Sequence, residues 1–287
     1  MTTIFEQMLK RYERQPFYNK KYVLKEIIQE MVLCGLSRAG FFKDAAFYGG
    51  TALRIFYGLE RFSEDLDFSL KTTIDSFDLS SYIPILQKEI LSFGLNLEIT
   101  EKVKTKESHI QSAFLKGNTK EHLLLFWGNE NIPAIHPGEV TKIKFEIDTN
   151  PPEHAGFEQK YRLLPSPYEA TLYDAPSLFA GKIHAVLCRS WKSRVKGRDL
   201  FDFIFFLSQS TPVNVKHLQA RLIQSDFIDA DEVLSLGDVK RFLIHRFETI
   251  DYHQAKEDVM PFIRDSQSLD VWSPGFFKTI TDQLVSA

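Results

Sequence analysis

The sequence predicts an α+β fold in which a mixed sheet with flanking helices is followed by a helical half. Two observations carry this prediction. Runs that alternate apolar and polar residues, as strands do, recur up to residue 148, whereas apolar residues repeat at helical spacing from residue 177 onward. Because such a change in pattern often marks a domain boundary, we expect two domains, 1–173 and 174–287.

The elements follow in chain order. Helical spacing of apolar residues predicts a helix over 20–38, and a short apolar strand, Ala46–Tyr48, precedes a glycine turn and a second helix. A strand carrying Asp65 and Asp67 is expected next, with further strands at 96–103, 109–115, 122–127 and 140–148 and a helix at 82–93. In the second half, helices are expected at 176–191, 198–208, 214–223, 230–247, 251–264 and 274–285.

Composition excludes several classes of protein. With 44% hydrophobic and 25% charged residues the chain is typical of globular proteins, and no run of eighteen apolar residues is present, so we expect no contact with a membrane. No signal peptide is evident, and the two cysteines show no pairing pattern, which favours the reducing cytoplasm. The sequence contains no C-x-x-C or H-E-x-x-H motif, so a zinc site is not expected.

Charge is nearly balanced overall but not locally. The net charge of −3 argues against broad, non-specific binding of nucleic acid. The segment Arg189–Arg198, however, carries five basic residues, one tryptophan and no acid. It is either a contact for a polyanion or a solvated basic loop.

The segment with the most chemical information is Ala46–Leu70. Its run S-E-D-L-D-F places Asp65 and Asp67 on one face of a strand, because strand side chains alternate. Two carboxylates roughly 6–7 Å apart at Cα on one strand can share a hard cation such as Mg²⁺. A lone D-x-D, however, is often merely solvated.

Upstream, Gly49, Gly50 and Thr51 join a strand to a helix. Glycine backbone N–H groups at a helix N-terminus favour phosphate, although a Gly-Gly pair after a strand is often a plain turn. Phosphate and metal ligands so close in sequence indicate nucleotide chemistry.

The motifs G-G-T-A-L-R and R-F-S-E-D-L-D-F resemble the first motif of the AbiEii/AbiGii-type nucleotidyltransferase toxins, members of the DNA-polymerase-β-like superfamily. The resemblance implies a polymerase-β-like nucleotidyltransferase sheet and an α-helical C-terminal domain. The wider superfamily usually has Gly-Ser where this chain has Gly50-Thr51, and threonine keeps a hydroxyl for a phosphate oxygen.

The same resemblance implies a third metal-binding acid on a neighbouring strand. The strand Val140–Asp148 presents Glu146 and Asp148 on its polar face. Its lysine-flanked sequence K-I-K-F-E-I favours Glu146, with Asp148 as the alternative. Asp65, Asp67 and Glu146 are thus the expected ligands of Mg²⁺ or Mn²⁺, with an NTP as substrate.

A second segment, 177–203, resembles the later family motifs, a lysine helix followed by an R-D-x-x-D helix. By that resemblance Lys182 contacts nucleotide phosphates and Asp199 is the distal acid, with Asp202 one turn later. Arg189 lies two helical turns after Lys182, on the same face. Acids in the first turn of a helix also stabilise its dipole, which is the alternative role for Asp199 and Asp202.

Three further residues flank the first motif. Ser63 lies two residues before Asp65; in related toxins a serine near this position is phosphorylated by the antitoxin, and a phosphate here would block the site. Arg54 and Arg61 are candidates either for phosphate contacts or for surface salt bridges.

The resemblance implies a Mg²⁺-dependent nucleotidyltransferase, the toxin of a toxin–antitoxin or phage-defence pair, that transfers NMP to an RNA acceptor, the tRNA 3′ end. An antitoxin protein is the expected partner. Two alternatives remain open: transfer to a small molecule or a protein hydroxyl, and an inactive module that binds a nucleotide or a partner.

Overall fold

The computed structural model describes residues 4–13, 19–74, 76–101, 119–127, 140–189 and 195–287. Within these residues one mixed sheet contains the strands β1 (Ala45–Tyr48), β2 (Leu66–Leu70), β3 (Asn96–Glu101), β4 (Thr119–Trp127), β5 (Val140–Asp148), β6 (Phe157–Arg162) and β7 (Tyr168–Tyr173). Their order is β3–β4–β5–β2–β1–β7–β6. β2 runs parallel to β5 and antiparallel to β1, and β7 runs parallel to β1.

Helices flank the sheet and form the second half of the chain. They are α1 (Ile4–Glu13), α2 (Lys20–Arg38), α3 (Gly49–Tyr57), α4 (Ile83–Ser92), α5 (Ala175–Cys188), α6 (Gly197–Ser208), α7 (Val215–Gln224), α8 (Leu236–Glu248), α9 (Tyr252–Val259) and α10 (Pro274–Thr281). This arrangement confirms the predicted α+β class. Within the described ranges, no helix has the length and apolar character needed to cross a bilayer.

Most predicted elements are present, and the differences have local causes. The helix predicted at 230–247 begins only at Leu236, because Ser235 and Asp238 form a capping box that starts it there. The helix predicted at 251–264 ends at Val259, and a 3₁₀ turn containing Pro261 follows. The helix predicted at 274–285 ends at Thr281. The strand predicted at 109–115 lies outside the described residues.

Two hydrophobic cores lie on the two sides of the sheet. One packs Phe47, Phe68 and Phe145 of the central strands against α2 and α4. The other is built almost wholly from the helices after Tyr173, with Ala46 and Leu53 contributed from the first half. The cores therefore change over close to the predicted boundary at 173/174, which itself stays a prediction.

A crossing loop, residues 149–156, connects β5 to β6 near the opposite edge of the sheet. Its backbone carbonyls hold α7 and the cap of that helix. Asn150 accepts from Gln224 Nε2 at 3.0 Å, and His154 accepts from Asn214 Nδ2 at 2.8 Å. The Glu153 carbonyl lies 2.7 Å from His217 Nδ1. The loop thereby fastens the helical half to the sheet.

Phe68 anchors β2 on the face opposite the acids. Its ring is fully buried and lies within 5.0 Å of the ring centroids of Phe41, Phe47 and Phe145. We expect Phe68→Ala to lower the free energy of unfolding by about 3–5 kcal/mol, because it leaves a cavity in this cluster. Urea unfolding measures the change. As the control, Phe276→Ala alters a partly buried ring in the other core and should cost less; equal losses would contradict the prediction.

Candidate functional site

The strand register brings two of the predicted acids side by side. Asp67 of β2 is paired with Glu146 of the parallel strand β5, so both side chains lie on the same face. Asp148 is paired with Ser69, one pleat further along. Asp65 directly precedes β2. Of the two candidates for the third acid, Glu146 is therefore the one beside Asp67.

These carboxylates are crowded. Burial raises the pKa of Asp67, and the nearby charges of Glu146 and Asp65 raise it further, whereas Lys182 opposes the shift. Burial also raises the pKa of Asp65. Burial and neighbouring acids thus outweigh the positive charge of Lys182 at Asp67, which makes this carboxyl hard to ionise.

The donor set fits a hard divalent cation, which prefers carboxylate oxygens. As the side chains stand, no three acidic, histidine or cysteine residues of the described chain form a ready-made metal cluster. Glu146 forms an ion pair with Lys144 on its own strand and a hydrogen bond with Asp67. Asp65, Asp67 and Glu146 could hold the ion after Glu146 leaves that lysine.

The glycine turn is shaped by close approach to the acids. Gly49 has φ +81°, and a Cβ there would lie 2.3 Å from Oδ2 of Asp67. A Cβ at Gly50 would lie 2.8 Å from Arg61 Nη2 and 2.8 Å from Ser63 Oγ. Both glycines are therefore needed for packing. The turn leads directly into α3, and Tyr48 at its N-cap gives no side-chain hydrogen bond within the described structure.

Thr51 has a different place from that expected for a phosphate ligand. Its side chain is fully buried, and its hydroxyl donates to the backbone carbonyl of Asp65 at 2.5 Å. In this structure Thr51 thus ties α3 to the segment that carries the acids. Ser63 lies ahead of β2 rather than on it, with its hydroxyl beside Gly50.

A charged cluster on the helical side contains the second predicted motif. Asp202 is fully buried and accepts from Arg61 Nε and Nη2, both at 2.6 Å. Lys182 Nζ lies 2.7 Å from Asp202 and 3.9 Å from Asp199. Asp199 in turn accepts from Arg189 Nη1 at 2.6 Å. Burial opposes ionisation of Asp202, but Arg61 and Lys182 outweigh it and hold its pKa below the usual value.

The cluster settles the place of the two flanking arginines. Arg61 is only 2% exposed, and its guanidinium donates hydrogen bonds to Asp202 and to the carbonyl of Phe62. Arg54 forms an ion pair with Glu26. Spacing in the sequence gave no signal of these long-range pairs. The basic segment is described only at its ends: residues 190–194, Trp191 among them, lie outside the described chain.

A second group on the same sheet face was not expected from the sequence. Tyr48, paired with Asp67, stacks on Tyr173 with ring centroids 5.4 Å apart, and the Tyr173 hydroxyl donates to Ser69 at 3.0 Å. Burial raises the pKa of Tyr48, Asp67 and Asp148 raise it further, and Arg221 opposes the shift. Arg221 therefore faces this polar group from α7.

A cleft of about 680 Å³ opens beside this group. It lies between the crossing loop, the residues after β2 and α7. Polar and aromatic side chains line it, among them Lys71, Asn150, His154, Tyr173, Lys216 and Gln224.

The comparison with family models identifies the chain as a nucleotidyltransferase, and solved nucleotidyltransferase structures share its fold. The chain belongs to the family described as nucleotidyl transferase AbiEii toxin, of the type IV toxin–antitoxin system, whose family model matches residues 32–277. Membership of a toxin–antitoxin family implies an NTP substrate and an antitoxin partner.

Two solved structures have the same fold. A candidate nucleotidyltransferase from H. pylori is 18% identical with a TM-score of 0.52, and the match covers 92% of this chain and 95% of that chain. JHP933 from Helicobacter pylori is 17% identical with a TM-score of 0.50, covering 93% and 92%. At such identities the likeness shows the fold alone. The comparison with curated protein sequences gave no match.

The raised pKa of Asp67 predicts a stability cost. Because the native state holds the Asp67 proton more tightly than the unfolded chain, stability falls as pH rises above the unfolded-state pKa. Without divalent cation, we expect Asp67→Asn to melt at a higher temperature than the wild type at about pH 8, and the difference to shrink toward about pH 4. Thermal unfolding in EDTA measures this, with exposed Asp231→Asn as control. A difference that does not depend on pH would contradict the prediction.

The buried ion pair predicts unequal costs for the two acids of α6. Asp202→Asn leaves the 2% exposed Arg61 without its carboxylate, and we expect a loss of about 3–5 kcal/mol in unfolding free energy. Asp199→Asn should cost clearly less, because its partner Arg189 has a third of its side chain exposed to water. Chemical denaturation of both variants tests this, and equal losses would argue against it.

Proposed function

We propose that this nucleotidyltransferase uses Mg²⁺ or Mn²⁺ to transfer NMP from an NTP to an RNA acceptor, the 3′ end of tRNA. We propose further that it acts in the cytoplasm as a toxin, in a toxin–antitoxin or phage-defence system, and that its antitoxin silences it. Adding nucleotides to an acceptor end would stop translation, which fits growth inhibition.

The observation that carries the proposal is the register of Asp67 with Glu146, with Asp65 directly before the same strand. Opposed to these acids is Lys182, whose charge acts on Asp67. Acids on one side and a cation from the helical half on the other form a place where a metal ion and a polyphosphate can meet.

A divalent cation held by Asp65, Asp67 and Glu146 would neutralise triphosphate charge and lower the pKa of the acceptor hydroxyl. The chain's own groups bind and orient the substrate. Lys182 and the N-terminus of α3 at Gly49 and Gly50 orient the phosphates. The acceptor oxygen bonds to the α-phosphorus as the bond to pyrophosphate breaks. Asp199 and Asp202 hold Lys182 in place. Asp148 lies on β5 next to the three metal-binding acids, and Asp65, Asp67, Glu146 and Asp148 together form what we call the acid row.

An RNA acceptor is supported by the cleft beside Tyr173. The cleft beside Tyr173 combines lysines, amides and aromatic rings, which suits the splayed nucleotides of a single-stranded RNA end. A small molecule or a protein hydroxyl is the alternative acceptor, and an inactive binding module is a further alternative.

A transfer assay tests the proposal. Protein, Mg²⁺ and each α-³²P-labelled NTP are incubated with total tRNA, beside Asp67→Asn and the control Asp231→Asn. We expect label in tRNA with one NTP, and loss of at least about 10³-fold in Asp67→Asn, because the metal-binding carboxylate is gone. Label in a small molecule or in protein, with none in tRNA, would contradict the RNA acceptor. No transfer of any kind would favour the inactive module.

A further inference from the structure

Arg221 of α7 is half-buried yet forms no ion pair with any carboxylate of the described residues. Three other enclosed arginines do so: Arg54 meets Glu26, Arg61 meets Asp202, and Arg162 meets Glu30. The charge of Arg221 acts on Asp148 from beyond ion-pair distance, and a guanidinium in a low-dielectric site gains further from an anion in direct contact.

The guanidinium is held in a fixed orientation. Arg221 Nε donates to Nε2 of His217 at 2.9 Å, and Nδ1 of the same ring lies 2.7 Å from the carbonyl of Glu153. His217 is fully buried and can accept from Arg221 only when its proton is on Nδ1, which then donates to Glu153. Burial and the charge of Arg221 lower the pKa of His217 to about 3, so the ring is neutral. The guanidinium also forms a hydrogen bond with the Tyr173 side chain of β7.

The guanidinium of Arg221 lies between the sheet and the helical half. The guanidinium carbon lies 5.9 Å from the centroid of Tyr48, whose strand partner is Asp67. On the other side it packs against Gly181, where a Cβ would lie 3.7 Å from it. Gly181 directly precedes Lys182, so both cations stand on the helical side of the acid row.

We propose that Arg221 binds a phosphate group of the nucleotide substrate, and that His217 is the residue that positions it. This inference rests on the proposed nucleotidyl transfer. A planar guanidinium can meet two phosphate oxygens with its N–H groups, one of which also faces Tyr173, and a neutral imidazole behind it fixes the fork without competing for the anion. Lys182 and Arg221 then contact the polyphosphate from two positions along the acids.

Binding of inorganic tripolyphosphate with Mg²⁺ tests this without any acceptor. Titration calorimetry on the full chain is compared for wild type, Arg221→Gln, Arg221→Lys and the control Arg241→Gln, which removes an exposed charge on α8. We expect about a 10–100-fold weaker Kd for Arg221→Gln, an intermediate value for Arg221→Lys and no change for Arg241→Gln. Melting temperatures show which variants are folded. Wild-type affinity in folded Arg221→Gln would overturn the proposal.

The positioning role has its own test. His217→Gln keeps an acceptor for Arg221, whereas His217→Met has similar volume and a far weaker one. We expect His217→Met to weaken tripolyphosphate binding several-fold and His217→Gln to restore most of it. If both variants bind as the wild type does, His217 has no such role.

Kinetics separate the two sources of phosphate and the two proposals. In the transfer assay, Arg221→Gln should raise KM for the NTP and leave KM for tRNA nearly unchanged; the reverse would overturn the assignment to the nucleotide. If the wild type binds tripolyphosphate but labels no tRNA, and Arg221→Gln no longer binds tripolyphosphate, the RNA proposal fails and this one stands. If tRNA is labelled and Arg221→Gln binds normally, only this inference fails.

Discussion

The buried ion pair between Arg61 and Asp202 is the contact on which the arrangement of the site depends. Arg61 lies between α3 and β2, and Asp202 lies in α6, so the pair joins the acid-bearing segment to the helical half across 141 positions of sequence. Asp202 also holds Lys182, and Arg61 packs where a side chain at Gly50 would be. One carboxylate thereby sets the turn, the lysine and the distance between the two halves.

The acids of the site, in contrast, are not neutralised by partners within the protein to the same extent. Arg61 and Asp202 satisfy each other within the protein, whereas Glu146 and Asp65 raise the pKa of Asp67, and Lys144 pairs with Glu146. Folding alone leaves this group unfavourable, and a bound cation would relieve it. Sites that must bind and release a ligand commonly carry such unresolved electrostatics, whereas structural pairs are closed.

Sequence reasoning singled out the acids and the lysine from local patterns and from the resemblance to family motifs, and their roles stay predictions. Alternation predicts that Asp67 and Glu146 lie on polar strand faces. Sequence reasoning took Lys182 and Asp199 from the resemblance of segment 177–203 to the later family motifs. It did not predict β6 and β7, since the residues of β7 are mostly buried on both faces and show no clean alternation. Nor could it find that Arg61 pairs with Asp202 or that His217 orients Arg221. The first partners are far apart in the chain, and the second pair has an i, i+4 spacing common to all helices.

The crossing loop has a consequence for how relatives of this enzyme can diverge. It holds α7 through the main-chain carbonyls of Asn150, Glu153 and His154, which any amino acid would supply. Its side chains, meanwhile, form one wall of the 680 Å³ cleft. The side chains of that wall can therefore be substituted without loss of the main-chain hydrogen bonds that hold α7. Selectivity for what enters the cleft can drift while the acid row stays fixed.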